Sequence, residues 1–250
     1  MLQVLVVAAL AGCASDPLQD AHFWKIEPCA DSIARDVRFH TAGGSGSVVV
    51  QSASCGAVVR ALGRIEKAAG YRAQQVYIAD PASPNAFATL DETRRPVIVV
   101  TLGMVQALAA DEAAWAALLG HEIAHHVRSH SAGRKDARER AEATGQVTAQ
   151  VIAQLLPGIG GFLAGNVANF VAANALYGSY TRPQEAEADR LSLEWMVGAG
   201  YDPNGMTRLI EILSRDGGLL PGFLSTHPGA DDRAQMVRDF LAPPAQAPRR

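Results

Sequence analysis

The sequence predicts an α+β domain, mostly helical, with a small edge β-sheet lying beside one buried helix. Three observations carry this. Two short runs rich in branched residues, Gln75-Val76-Tyr77-Ile78-Ala79 and Pro96-Val97-Ile98-Val99-Val100-Thr101, are bounded by turn-forming or polar residues and read as strands. Ala113 through Ile123 is apolar almost all round, the pattern of a helix packed on every side. Beyond it, apolar residues recur at helical spacing in segments with their own start and stop signals.

Taken in order, residues 14–54 are the least regular part. His22, Phe23, Trp24 and Ile26 suggest a packed segment, residues 41–47 a flexible loop, and Val48-Val49-Val50 a short strand. His22 and His40 have no partner at ligand spacing and read as structural or surface residues. From Gly56 to Ala69, the positions Val58, Val59, Leu62, Ile65 and Ala69 define a helix that Gly70 can cap. The two strands follow, separated by a turn at residues 80–84, then Asn85-Ala86-Phe87-Ala88 and a polar insertion at residues 91–95. Strands placed before a helix in this way suit a cleft in which an extended peptide adds to a free sheet edge.

Helical sequence begins near Gly103 and again at Asp111, an N-cap residue type. Trp115, Leu118, Leu119 and Ile123 are its packing residues, and the polar run from Arg128 to Arg140 reads as the solvated end of the same helix. No charged residue lies between Glu142 and Arg182. Pro157, Gly158, Gly160 and Gly161 interrupt this stretch, and Asn166, Asn169 and Asn174 sit within it, so it reads as two small-residue helices rather than a membrane span. Thr181 and Pro183 start the next helix, which runs to about Val197. Tyr201-Asp202-Pro203 opens another, with Met206, Leu209, Ile210 and Leu213 on its apolar face; a loop at residues 221–228 and a last helix over 231–241 follow.

At 250 residues, 48% hydrophobic and 19% charged, the chain can bury a sizeable core. A net charge of −3 gives no basis for a nucleic-acid partner. The three cysteines are Cys13, Cys29 and Cys55. Leu10-Ala11-Gly12-Cys13, after an apolar run, resembles the lipobox of bacterial lipoproteins, in which the cysteine becomes the lipidated first residue. That resemblance implies a signal peptide over 1–12, a lipid anchor at Cys13 and an oxidising envelope compartment, where Cys29 and Cys55 form an even pair able to make a disulfide. Ala14 and Ser15 after it, with no Asp directly following, resemble the sorting signal for the outer membrane.

The chemistry centres on His121-Glu122-Ile123-Ala124-His125. Residues four apart on a helix are offset by only ~40°, so His121 and His125 can present imidazoles to one metal ion. Glu122, one step round the turn, can hold a metal-activated water without being a ligand. Two neutral nitrogens and a carboxylate base are what a hydrolytic zinc site needs. A catalytic zinc keeps three protein ligands. The metzincin spacing puts its third histidine at Ser131 and a glycine at Arg128, so that pattern is rejected. His130, ~140° round a continuing helix from His125, is excluded as a ligand and read as structural or as a support for one. His126 is unassigned. A carboxylate from a later helix remains: Glu185 and Asp189 stand four apart, so one can bind metal while the other accepts the free N–H of a ligand histidine. Glu187 points away from both.

The chain resembles the HtpX-like zinc metallopeptidases, a gluzincin family that includes the CAAX prenyl proteases and soluble envelope lipoproteins. The resemblance rests on Asn85-Ala86-Phe87-Ala88, Gly120 to His125 with His130, Glu185 to Asp189, Gly200-Tyr201-Asp202-Pro203, and Ser225-Thr226-His227-Pro228 with Arg233. It implies a zincin-like metallopeptidase domain over 56–241, an N-terminal extension over 13–55 and a disordered tail over 242–250. It implies one Zn²⁺ per chain, Glu185 as third ligand, Asp189 behind a ligand histidine, Asn85 to Ala88 beside the substrate strand, and His227 as a gating ligand.

The expected function is zinc-dependent endopeptidase activity on misfolded or misassembled proteins of the bacterial periplasm, with Glu122 as general base. Arg233, His227 and Tyr180 are the candidates for stabilising the oxyanion. The rival is an envelope assembly or quality-control factor that mainly binds client proteins, its zinc site held closed by His227. The uncharged stretch 143–181 allows, without supporting, a lipid-facing enzyme.

Overall fold

The computed structural model describes residues 23–26, 29, 35–40, 47–73, 75–79, 84–90, 93–133, 136, 180–215, 227 and 230–242. Cys13, most of the uncharged stretch 143–181 and nearly all of the tail lie outside them.

Four strands form the main sheet: β1 (Phe23–Lys25), β4 (Gln75–Ala79), β5 (Ala86–Leu90) and β6 (Pro96–Thr101), in the order β1-β4-β6-β5. β4 and β6 are parallel; β1 and β5 run antiparallel on the outside, with Phe87 opposite Val99 and Phe23 opposite Ala79. β2 (Val37–His40) and β3 (Ser47–Val50) make a separate antiparallel pair. The expected strands at Val48-Val50, Gln75-Ala79 and Pro96-Thr101 are present as β3, β4 and β6, and β1, β2 and β5 add to them. β1 has only three residues, too few to show a period-2 pattern despite its two aromatics, and β5 is interrupted by Ala86 and Ala88; each pairs with a longer apolar neighbour, β4 or β6.

Helix α1 (Ser52–Ala69) begins four residues earlier than its apolar periodicity suggests, its first amide donating to Asp36 Oδ1 at 2.9 Å. It ends at Gly70, whose φ of 60° is the left-handed conformation that lets two amides reach back to the last carbonyls. A disulfide joins Cys29 to Cys55 on α1, tying the N-terminal segment to the core. Short α2 (Leu102–Leu108) is capped by the Thr101 hydroxyl.

Helix α3 (Glu112–Val127) starts where Asp111 accepts the Ala114 amide and is buried without a break from Ala114 to His126. Around it pack α1, α4 (Arg182–Gly198), α5 (Asn204–Arg215) and the edge strand β5, with α6 (Ala230–Leu241) against α4 and α5. α4 opens with a reciprocal cap between Thr181 and Gln184. Two close approaches fix the helix packing. A Cβ on Gly120 would stand 2.5 Å from Ser192 Oγ on α4, and one on Gly205 would stand 2.5 Å from the Ala113 carbonyl oxygen.

One expectation about α3 is corrected. The helix does not continue through the polar run but stops at Val127; Ser129 has φ of 59°, and helical backbone resumes at His130. Among the described residues, no helix is long and apolar enough to cross a membrane.

Candidate metal centre

Helix periodicity brings His121 and His125 to the face of α3 that meets α4, and the same periodicity on α4 turns Glu185 and Asp189 toward them. All four are buried to within 1%. His121 Nε2 and His125 Nε2 lie 3.0 Å apart. Glu185 Oε1 is 3.2 Å from His125 Nε2, and Glu185 Oε2 is 3.5 Å from His121 Nε2. His227 completes the group, its Nδ1 3.0 Å from both His121 Nε2 and Glu185 Oε1. One ligand atom from each of these four residues falls within 4.8 Å of the others.

The hydrogen bonds around this group decide which nitrogens carry protons. His121 Nδ1 donates to Asp189 Oδ1 at 2.7 Å, so its lone pair is on Nε2. His227 Nε2 lies 3.3 Å from the Ala86 carbonyl oxygen, which can only accept, so its lone pair is on Nδ1. Lone pairs and a carboxylate thus converge in a buried space, an arrangement that repels itself unless a cation or shared proton sits between. Ligands about 2.0–2.1 Å from a tetrahedral zinc stand roughly 3.3–3.4 Å from each other, close to the spacings here. The donor set therefore fits zinc.

Burial pushes His125 well below the ordinary histidine range, keeping it in the neutral form a metal requires. His121 is also penalised by burial, but the Glu185 and Asp189 carboxylates outweigh this and leave it raised. Asp189 is held well below the usual carboxylate range: burial opposes its charge, and Arg233 and His121 more than offset that. Arg233 makes a two-pronged bond to Asp189, Nε to Oδ2 at 2.6 Å and Nη2 to Oδ1 at 2.7 Å, while its Nη1 stands 3.3 Å from Glu185 Oε2.

Glu122 is fully buried, its Oε1 3.6 Å from His227 Nε2. Asn85 immediately precedes β5, whose first residues Ala86 to Ala88 are buried at the outer edge of the sheet. The Ala86 and Ala88 carbonyls point away from β6; His227 faces the first, and the Tyr180 hydroxyl donates to the second at 3.2 Å. Asn85 is locked through its backbone to Thr101, while its buried side-chain amide makes no hydrogen bond among the described residues. The Tyr180 ring stacks on His125, with centroids 3.4 Å apart.

Four contacts involve residues that the sequence leaves unassigned, reads as structural or supporting, or turns away from the site. His126 donates from Nε2 to the Val97 carbonyl at 3.0 Å, joining α3 to β6. His130 lies with its Nδ1 3.0 Å from His125 Nδ1, and Glu187, read as pointing away, reaches both His130 and Arg128. A positive φ at a serine has no sequence signal, so the turn that returns His130 to its neighbour was illegible.

A sheet whose edge strand lies along a buried H-E-x-x-H helix, with a carboxylate supplied by α4, defines a zincin-like metallopeptidase domain. Residues 53–240 match the model for Peptidase family M48, and the chain belongs to that family. It is 34% identical over 73 residues to the metalloprotease YcaL of Escherichia coli K12, a match covering 29% of each chain. It is 34% identical over 77 residues to the mitochondrial metalloendopeptidase OMA1 of Arabidopsis thaliana, covering 30% of this chain and 16% of that one. The matched segments thus span under a third of either relative. The crystal structure of S. mikatae Ste24p covers 81% of this chain and 52% of its own at 13% identity and a TM-score of 0.41.

Proposed function

We propose that this chain is a zinc-dependent endopeptidase of the bacterial envelope, cleaving misfolded or misassembled proteins there. The observation that carries the reading is the convergence of His121, His125 and Glu185 in a buried donor set with Glu122 on the same helix. His121, His125 and Glu185 would hold the zinc, which would supply a Lewis acid and bring the pKa of water close to neutrality. Glu122 takes the proton of the attacking water and delivers it to the leaving amine. The peptide pairs with the outer edge of β5 through the Ala86 and Ala88 carbonyls, displacing the His227 and Tyr180 contacts that occupy them here. Arg233 gives two of its nitrogens to Asp189, so Tyr180 and His227, which face β5, are better placed to steady the oxyanion. The Cys29–Cys55 disulfide supports an oxidising compartment, and the lipobox-like Cys13 supports a lipid anchor, in the outer membrane by its following residues.

The test is Glu122→Gln in the purified full chain. It retains zinc and loses at least ~10²-fold in casein cleavage, within the range that general-base catalysis contributes. Full activity in that variant sinks the assignment.

A second reading is favoured by His227. Its Nδ1 stands where a fourth ligand would close the site, and its other nitrogen holds the Ala86 carbonyl that a substrate would need. The chain observed is then a closed form, either a gated protease or a client-binding factor. His227→Ala separates them: chelator-sensitive cleavage rises in a gated protease and stays absent in a binding factor.

A further inference from the structure

We propose that His130 and Glu187 act in series as positioning residues for His125, fixing the ring and tautomer in which it can bind metal. This rests on the metal reading above. His125 turns Nε2 to the donor group, 3.2 Å from Glu185 Oε1, so its proton is on Nδ1. Among the described residues that proton has one partner in reach, His130 Nδ1 at 3.0 Å, which must therefore present a lone pair. The proton of His130 is then forced onto Nε2, which stands 3.5 Å from Glu187 Oε2. Glu187 is held in turn by Arg128, whose Nε donates to Oε1 at 2.9 Å. Each link leaves the next a single choice.

The backbone builds this chain locally. Had α3 continued, His130 would project away from His125. The break at Arg128 and the left-handed Ser129, with φ of 59°, fold the chain back and set the two rings at 61° with centroids 5.2 Å apart. Tyr180 stacks on the other side of His125, so the ring is held from two directions.

The two ligand histidines are therefore backed in different ways. Behind His121 stands a fully buried carboxylate clamped by an arginine; behind His125 stands a neutral imidazole whose outer partners, Glu187 and Arg128, are 36% and 43% exposed. A hydrogen-bond acceptor behind a ligand histidine raises its basicity, and removing it costs 10–100-fold in metal affinity.

The experiment is a zinc competition titration of the purified full chain against a chromophoric chelator, with the absorption spectrum of the cobalt(II) form as a second readout. His130→Ala weakens zinc 10–100-fold and shifts the cobalt bands, whereas His130→Asn, which keeps an acceptor, recovers most of the affinity. Glu187→Ala weakens zinc less, and the double variant is no weaker than His130→Ala, because residues acting in series are not additive. Affinity within twofold of wild type in His130→Ala, equal loss in the Ala and Asn variants, or additive losses in the double variant each overturn the relay. A wild-type chain that takes up no zinc overturns the metal reading itself, and this one with it.

Discussion

Gly120→Ala and Gly63→Ala make one chemical change in two helices, and the structure gives them opposite signs. Alanine in a helix interior is favoured over glycine by about 1 kcal/mol. Gly63 lies on the exposed side of α1, and a Cβ there meets nothing within 4 Å, so Gly63→Ala stabilises by nearly that full amount. At Gly120 the new Cβ stands 2.5 Å from Ser192 Oγ, 3.2 Å from its Cβ and 3.3 Å from its Cα. Rotating the hydroxyl away forfeits its bond to the Ala117 carbonyl at 2.8 Å, a loss of about 1 kcal/mol. The Cβ and backbone contacts remain, and forcing α3 and α4 apart by a few tenths of an ångström adds an overpacking cost of about 1–3 kcal/mol. Offsetting the helix gain, Gly120→Ala destabilises by about 1–3 kcal/mol. Urea unfolding of the metal-free chain with the disulfide intact measures both, provided the slope with denaturant is unchanged.

The same α3–α4 interface spaces His121 and His125 from Glu185 and Asp189, so Gly120→Ala should also weaken zinc. Adding Ser192→Gly moves the missing Cβ to the other helix and restores most of the affinity, leaving the lost Ser192–Ala117 hydrogen bond and the 3.3 Å approach to the residue 192 Cα. A Gly120→Ala chain stabilised by about 1 kcal/mol, as an unhindered helix position would be, refutes the packing argument.

Two further outcomes concern the scaffold. Reducing the Cys29–Cys55 disulfide reopens a loop with 26 residues of separation and should cost about 3.5 kcal/mol on chain-entropy grounds, read as the shift in urea midpoint with and without reductant. Arg208 grips Asp111, the N-cap of α3, with Nε–Oδ2 at 2.6 Å and Nη2–Oδ1 at 3.0 Å, and this bond lowers the Asp111 pKa. A lowered carboxylate pKa adds stability that is present above the unfolded value of ~3.9 and lost as pH falls through the folded one. Arg208→Ala should therefore cost under about 1 kcal/mol at neutral pH, the pair being partly solvent-screened, and make the acid limb of the stability profile shallower below about pH 4. An acid limb identical to wild type would show that the pair contributes nothing.

The parts of the centre that could be read from the sequence are those set by one element's own geometry. His121 with His125, and Glu185 with Asp189, are each four apart on a helix, so each pair shares a face whatever surrounds it. The all-round apolar run of α3 likewise announces its burial. What decides between Glu185 and Asp189 is not periodicity but the arginine of another helix: Arg233 takes both Asp189 oxygens, leaving Glu185 to face the histidines. That contact joins residues 44 apart and has no local trace. His130 shows the opposite limit, since it is only five residues from its partner. Reading it as ~140° away was correct for a helix that continues and wrong for one that breaks at Ser129. Its position follows from a single positive φ, a conformation that few non-glycine residues adopt. The support behind His125 is thus less legible than His125 itself. A ligand must share a face with its partner, but its support need only be brought near by a turn.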